Sequence, residues 1–313
     1  MRCSGLIALA LAVACASAHG ASTPLASKFI VLGSSSGPVG NPDRAQPANC
    51  LQYGDQTVLI DVGDGATDQL AKAGIELGTV QTVLISHLHF DHTGGLFALL
   101  GRRFQSRWPG TLTIYGPAGT RRTVDSLIAA MQPMVEANES WVTSLMSKPG
   151  EGIQVIEIAD QSKVALGAIH VTAAVNSHFG AKDKGAHSLA FRFDLPDRSI
   201  VYTGDTGPSE NVERLARGVD LLVAEVMDPD KAMEMLEKKR PDVNFVVRAA
   251  VKHHFAKEHL SPQEVGLLAK HAGSKSLVLT HNALPADFLD TARKAIAENY
   301  PGPITFAKDL QAF

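Results

Sequence analysis

Ser86-His87-Leu88-His89-Phe90-Asp91-His92-Thr93-Gly94-Gly95 decides how this chain is read. Three imidazoles and a carboxylate fall within six residues, in the pattern His-x-His-x-Asp-His. Such a concentration costs folding energy unless it binds something. Neutral imidazole and carboxylate are the donors that zinc and related divalent ions prefer. His87 and His89 are two apart, so an extended loop points them the same way. Asp91 and His92 follow a turn and can face another direction. The spacing therefore predicts two metals side by side, each needing a further ligand from elsewhere.

Working outward, the apolar run Val80 to Ile85 is a strand that delivers the motif, and Leu96 to Phe104 has the periodicity of a helix. The same alternation of short apolar runs and helical segments covers the chain. Strands are expected at Lys28 to Leu32, Val58 to Asp61, Leu112 to Tyr115, Ile153 to Ile158, Ile169 to Val175, Ser188 to Phe193, Ser199 to Tyr202, Val219 to Ala224, Lys275 to Thr280 and Pro303 to Phe306. Helices are expected at Asp68 to Ala73, Thr120 to Ala137, Asp230 to Lys257 (divided by Pro241), Pro262 to His271 after a Ser261 cap, and Ala286 to Glu298. Several strands run into a ligand-type residue: Val175 precedes His178, Tyr202 precedes Asp205, and Thr280 precedes His281. Loops that present ligands from a rigid sheet are a common way to build an active site.

The N-terminus has a different character. Arg2, the apolar run Gly5 to Cys15 and Ala16-Ser17-Ala18 have the layout of a secretory signal peptide. Residues 1–18 are thus expected to be removed, leaving 19–313 as a single domain that is periplasmic or secreted. Anchoring as a lipoprotein at Cys15 is a lesser variant, because Ala12 stands where a leucine is usual. Cleavage would leave Cys50 as the only cysteine, so no intrachain disulfide is expected. With 313 residues, 45% of them hydrophobic, the chain can bury a large core. A net charge of −3 and the absence of a dense Lys/Arg stripe argue against nucleic acid as a partner. No other apolar run is long enough for a transmembrane helix.

The ordered set of motifs resembles the metallo-β-lactamase superfamily, and within it the ribonuclease Z/arylsulfatase-like branch. Carrying the resemblance are Leu32-Gly33 with its Ser/Gly/Pro loop, Leu59-Ile60-Asp61-Val62-Gly63, the His87–His92 motif, Ile114-Tyr115-Gly116-Pro117, Tyr202-Thr203-Gly204-Asp205-Thr206, Leu222-Val223-Ala224-Glu225, His259-Leu260-Ser261-Pro262 and Leu279-Thr280-His281. It extends from about Phe29 to near the C-terminus. It implies an α/β fold, a four-layer αββα sandwich of two mixed sheets flanked by helices. It also implies a hydrolase with two divalent ions, zinc first, with Mn2+ or Fe2+ as substitutes.

Carried over by position, His87, His89 and His178 would hold one ion. Asp91, His92 and His281 would hold the other, with Asp205 bridging the two. His178 is preferred to His187 because it follows its strand directly. A metal-activated water would then attack an ester-type bond: phosphodiester, sulfate ester, or carboxylic ester or lactone. Asp91 or Asp205 would orient it. His259, with Glu225 nearby, would protonate the leaving group. Asp61 is expected to support a ligand histidine from behind, and Asp64 is a weaker candidate for that role. His253 and His254, in a Lys-rich helix, read as surface residues, and His170 and His271 as structural or exposed.

The interval from His178 to Asp205 is too short for the arm with which ribonuclease Z proteins hold tRNA. The substrate is therefore expected to be a small molecule, and the protein a monomer or a homodimer. Met131 to Met146 and Met227 to Met235 are candidate lids for it. Two other functions share the ligand set: β-lactam hydrolysis on a ribonuclease Z-like scaffold, and metal binding without catalysis.

Overall fold

The computed structural model describes residues 25–137, 148–179 and 187–313. The proposed signal peptide, and Trp141 and Met146 of the first candidate lid, lie outside the described residues.

Strands β1 (Lys28–Gly33), β2 (Ala48–Tyr53), β3 (Gln56–Ile60), β4 (Thr82–Leu84), β5 (Leu112–Gly116) and β6 (Ile153–Glu157) form one sheet. Strands β7 (Lys163–Leu166), β8 (Ile169–Val175), β9 (Leu189–Asp194), β10 (Ser199–Tyr202), β11 (Leu221–Val226), β12 (Ser276–Asn282) and β13 (Ile304–Phe306) form the other. The last strand, β14 (Gln311–Ala312), returns to the first sheet beside β1. Both sheets are mixed. β3 to β6 run parallel, as do β10 to β13, while β1–β2–β3 and β7–β8–β9–β10 are antiparallel meanders.

Side-chain alternation along single strands shows why the sheets stack. Phe29 and Val31 of β1 enter an apolar cluster with Phe191, Phe193, Ile200 and Val223 of the opposite sheet. Ile30 and Leu32, between them, enter a second cluster with Leu70, Leu96, Leu99 and Val124 of the helices outside the first sheet. In the second sheet, Val223 and Val278 face inward, while Leu222, Leu277 and Leu279 face Val265, Leu268, Ala292 and Ile296 on the outer helices. Strands buried on both faces read as continuous apolar runs. Three apolar interfaces between four layers give the expected αββα sandwich.

Local signals set most boundaries. Ser261 caps the helix Pro262–Ala272, with Glu264 completing a capping box. Asn244 and Asp228 cap Phe245–Lys257 and Pro229–Lys239 in the same manner. One expectation needs correction. The helix expected from 120 to 137 is two, Thr120–Ala129 and Gln132–Glu136, because Pro133 cannot supply an amide to a continuing helix. Of the candidate lid residues, Met131 takes the alternative reading and is fully buried in the helix-facing core.

Candidate metal centre

The parallel strands of both sheets end at one edge of the sandwich, and the motif residues collect there. Leu84 ends β4, and residues 85–89 form a loop that bends at Ser86 and is extended at His89, where the short helix Phe90–Thr93 begins. That break puts His87 and His89 on one side and Asp91 and His92 on the other, as their spacing predicts. Four overlapping groups result: His87, His89 and His178; Asp91, His92, Asp205 and His281; His178, Asp205 and His259; and Glu225, His259 and His281; the first two are the expected sets. Within each set the ligand atoms lie within 4.8 Å of one another.

Asp205 stands between the sets. One of its oxygens lies 3.3 Å from His92 Nε2, the other 3.2 Å from His281 Nε2 and 3.9 Å from His87 Nε2. Gly204 makes this approach feasible. It takes φ +58°, and a Cβ there would press on Leu189 O and Ser86 Cβ. Gly37, in the Ser/Gly/Pro loop, lies so close that a Cβ would overlap Asp91. The last ligand depends on a strand irregularity: the β11–β12 register shifts between Ala224 and Val226, and His281 takes φ 43°. A bulge of this kind re-aims side chains, here Glu225 and His281.

Two of the candidate ligand imidazoles, His92 and His178, are steadied from behind. His92 Nδ1 donates to Asp61 at 2.8 Å, and Asp61 also accepts from the Ser86 amide, Ser86 Oγ and Tyr202 Oη at 2.7–2.8 Å. His178 Nδ1 meets the carbonyl of Glu258 at 2.9 Å. The His178 amide donates to Asn176 Oδ1, and Asn176 is itself anchored on Thr203 O. Such partners fix tautomer and ring orientation. His259 Nδ1 pairs with Glu225 Oε2 at 2.7 Å, and Glu225 Oε1 accepts from the Thr206 amide.

The remaining sequence candidates fall partly where expected and partly elsewhere. Asp64 is exposed and does not reach the site, so only Asp61 supports a ligand. His187 is half-buried and joins neither cluster among the described residues, whereas His178 does. His253 is exposed as expected, but His254 is at the site, its ring 5.7 Å from that of His178 and 5.1 Å from that of His259. Helical periodicity gave no hint of it, since its helix has no buried face. Phe179, also missed, packs 5.0–5.8 Å from the rings of His178, His89 and His87. Its signal was adjacency to His178.

The electrostatics fit metal ions. Burial pulls His87 well below the ordinary imidazole range and His178 down to about 3, so the first set is neutral and ready to coordinate. In the second set, burial opposes charge but is outweighed. Asp205 and Asp61 hold His92 well above its usual value, and Asp205, with the Asp91 hydrogen bond, brings His281 to about 9. Burial would raise the carboxylates in turn, yet His281 and His92 bring Asp91 to about 2 and Asp205 well below the ordinary range. His87 Nε2, His92 Nε2 and Asp205 Oδ1 are buried with no hydrogen bond. Buried polar atoms are rarely left so, and these three converge on the space a pair of divalent ions would fill.

Buried histidines and carboxylates of this kind, at one edge of an αββα sandwich, define a metal-dependent hydrolase. The comparisons make this specific. A family described as "Beta-lactamase superfamily domain" matches residues 56–282, and the chain belongs to that superfamily, on its ribonuclease Z-like side. A "Ribonuclease Z" of Mycobacterium marinum is 28% identical over 288 residues, 90% of this chain and 96% of the relative. One from a Mycobacterium sp. is 30% identical over 292 residues, covering 90% and 93%. Among solved structures, the metallo-beta-lactamase fold protein YhfI from Bacillus subtilis superposes with a TM-score of 0.67 at 20% identity, covering 92% of this chain and 98% of its own. The short form of human tRNase Z gives 0.61 at 20%, covering 91% and 98%.

Proposed function

We propose that this protein is a two-metal phosphodiesterase. The observation that carries the reading is Asp205: one carboxylate within reach of His92, His281 and His87, and so shared by both ligand sets. His87, His89 and His178 would hold one ion, and Asp91, His92 and His281 the other, with Asp205 common to both. Zinc suits three imidazoles best, and manganese or iron would suit the oxygen-richer set. Two such ions lower the pKa of water and polarise the oxygen of a substrate ester.

The chain's own groups supply the rest. Asp91 and Asp205 are acceptors for the proton of the attacking water. His259, with Nδ1 held by Glu225, is the donor for the leaving oxygen. Burial, with His281 and His254 beside it, draws His259 down to about 4, while burial next to Asp205 raises Glu225 well above the ordinary carboxylate range, so Glu225 is the proton reserve behind His259 Nδ1. General acid catalysis of this type is worth roughly 10²–10⁴-fold.

The bond class is taken from relatives that cover nearly the whole chain and carry the name ribonuclease. The polynucleotide is not, given the net charge of −3 and the short His178–Asp205 interval. The shared Asp205 favours a phosphodiester over a β-lactam, since familiar zinc β-lactamases generally lack an aspartate at that position. We also infer export, from the character of residues 1–18. N-terminal sequencing of protein recovered from periplasm or medium should begin after Ala18; a start at Met1 would contradict it.

The test of activity is a panel with zinc-loaded protein: bis-p-nitrophenyl phosphate, p-nitrophenyl sulfate, p-nitrophenyl acetate, an acyl-homoserine lactone and nitrocefin. The phosphodiester should turn over fastest. Faster turnover of the sulfate, acetate, lactone or nitrocefin would replace the proposed bond class.

A further inference from the structure

Of the seven candidate ligands, His89 alone is half-buried, and the others are closed to solvent. Glu225 and His259 are buried as well. Among the described residues, two half-buried rings lie beside the clusters: Phe179, 5.0 Å from the His178 ring, and His254, 5.7 Å from it. His178 touches both, so both rings border the clusters on the side where His89 is half-buried.

Neither ring is there by default. Phe179 follows His178 directly and covers the edges of His87 and His89. His254 is carried on the helix Phe245–Lys257, which buries no residue against the body and so gains nothing from an inward-facing ring. Its orientation is fixed nonetheless. His254 Nδ1 bonds Glu258 Oε2 at 2.5 Å, one helical turn on, and the carbonyl of the same Glu258 holds His178. The ring is therefore pinned to the backbone that positions the centre. A fixed, half-exposed ring offers a π-face without an ordering cost on binding.

We propose that Phe179 and His254 form an aromatic rim that selects substrates carrying a planar aromatic group on the scissile ester. This rests on the phosphodiesterase reading for the bond, and names the substituent that reading leaves open. The shared chemistry is a planar ring, supplied by an aryl ester or by the base of a nucleoside. Stacking on one protein ring is worth about tenfold in binding.

Thymidine 5′-phosphate, phenylphosphonate and methylphosphonate, as competitive inhibitors of bis-p-nitrophenyl phosphate hydrolysis, test it, because the reporter ester is then common to every measurement. Zinc-loaded wild type should bind the two aromatic inhibitors about tenfold or more tighter than methylphosphonate. Phe179→Leu keeps apolar cover over the ligands, and His254→Gln keeps a donor to Glu258. Each removes one of the two rings and should lower that ratio several-fold, with zinc content at the wild-type level.

Tighter binding of both aromatic inhibitors assigns aryl groups at large; tighter binding of thymidine 5′-phosphate alone assigns a nucleoside. A wild type that binds the three alike, or variants that keep its ratio, would overturn the rim. Should bis-p-nitrophenyl phosphate not react, the bond class has failed, and calorimetry with the same three compounds decides the rim: a ratio that exceeds one and falls in both variants supports it, and equal binding refutes it.

Discussion

Asp61→Asn changes one atom and should move one proton. Asp61 is fully buried and takes φ 58°, a left-handed conformation that Asn adopts as readily as Asp, so the backbone has no reason to shift. Its Oδ1 accepts from the Ser86 amide at 2.7 Å, and an amide oxygen can keep that bond. Its Oδ2 accepts from Ser86 Oγ, Tyr202 Oη and His92 Nδ1 at 2.7–2.8 Å. An NH2 group there faces three donors. The two hydroxyls can turn and accept instead. The imidazole adapts only by becoming an acceptor at Nδ1, which moves its proton to Nε2. That atom faces Asp205 at 3.3 Å and is the one a metal would take. Loss of such a supporting contact costs about 10–100-fold in metal affinity, and the lost charged acceptor costs about 1–3 kcal/mol of stability. Calorimetric titration of metal-free protein with zinc should show the second ion weakened by that factor and the first unchanged. Wild-type affinity for both ions in Asp61→Asn would refute the tautomer argument.

Other outcomes follow from the same geometry. His259→Ala should slow hydrolysis of an alkyl phosphodiester by about 10²–10⁴-fold but slow a p-nitrophenyl ester far less, because nitrophenolate leaves without a proton; equal losses in steady-state assays would remove His259 from that role. Gly37→Ala should displace Asp91 and lower zinc content, with the first site still filled, as measured by elemental analysis. Zinc affinity should depend on pH differently at the two sets. His281, at about 9, and His92, held above its usual value, must lose protons to coordinate, so affinity at the second set rises as pH increases from 6 toward 9. His178, at about 3, is already neutral there, so affinity at the first set stays flat; identical pH slopes in buffered titrations would contradict this. Burial lifts the Cys50 thiol to about 12, so mass-resolved labelling should find it inert in the native protein and reactive only on unfolding.

What could be read in the sequence was what had short-range causes. The His87–His92 spacing gave the division into two pairs, because side-chain direction over six residues is set by local backbone. β3, β4, β10, β11 and β12 were legible because burial on both faces makes them almost continuously apolar, and β5 and β6 because apolar residues alternate along them. β2 was not, since Asn49 and Gln52 interrupt it and its register comes from β1 and β3 on either side. β14 has two residues and exists only by pairing with β1. In the site, His178 could be chosen over His187 from its place after β8. His254 could not be found in this way, because its nearness to His178 arises from how the helix Phe245–Lys257 returns to the body. The bulge at Glu225 and the left-handed His281 were equally invisible, being products of the β11–β12 pairing. Met131 went to the core rather than a lid, as methionines at helical spacing commonly do.

The central claim is that these side chains form one centre for two ions joined by Asp205. Elemental analysis of protein reconstituted with zinc and freed of excess tests it most directly. The arrangement predicts two zinc ions per wild-type chain and fewer than two, with hydrolysis abolished, in Asp205→Ala. A wild type that saturates at one zinc, or an Asp205→Ala variant that keeps two ions and full activity, would contradict it.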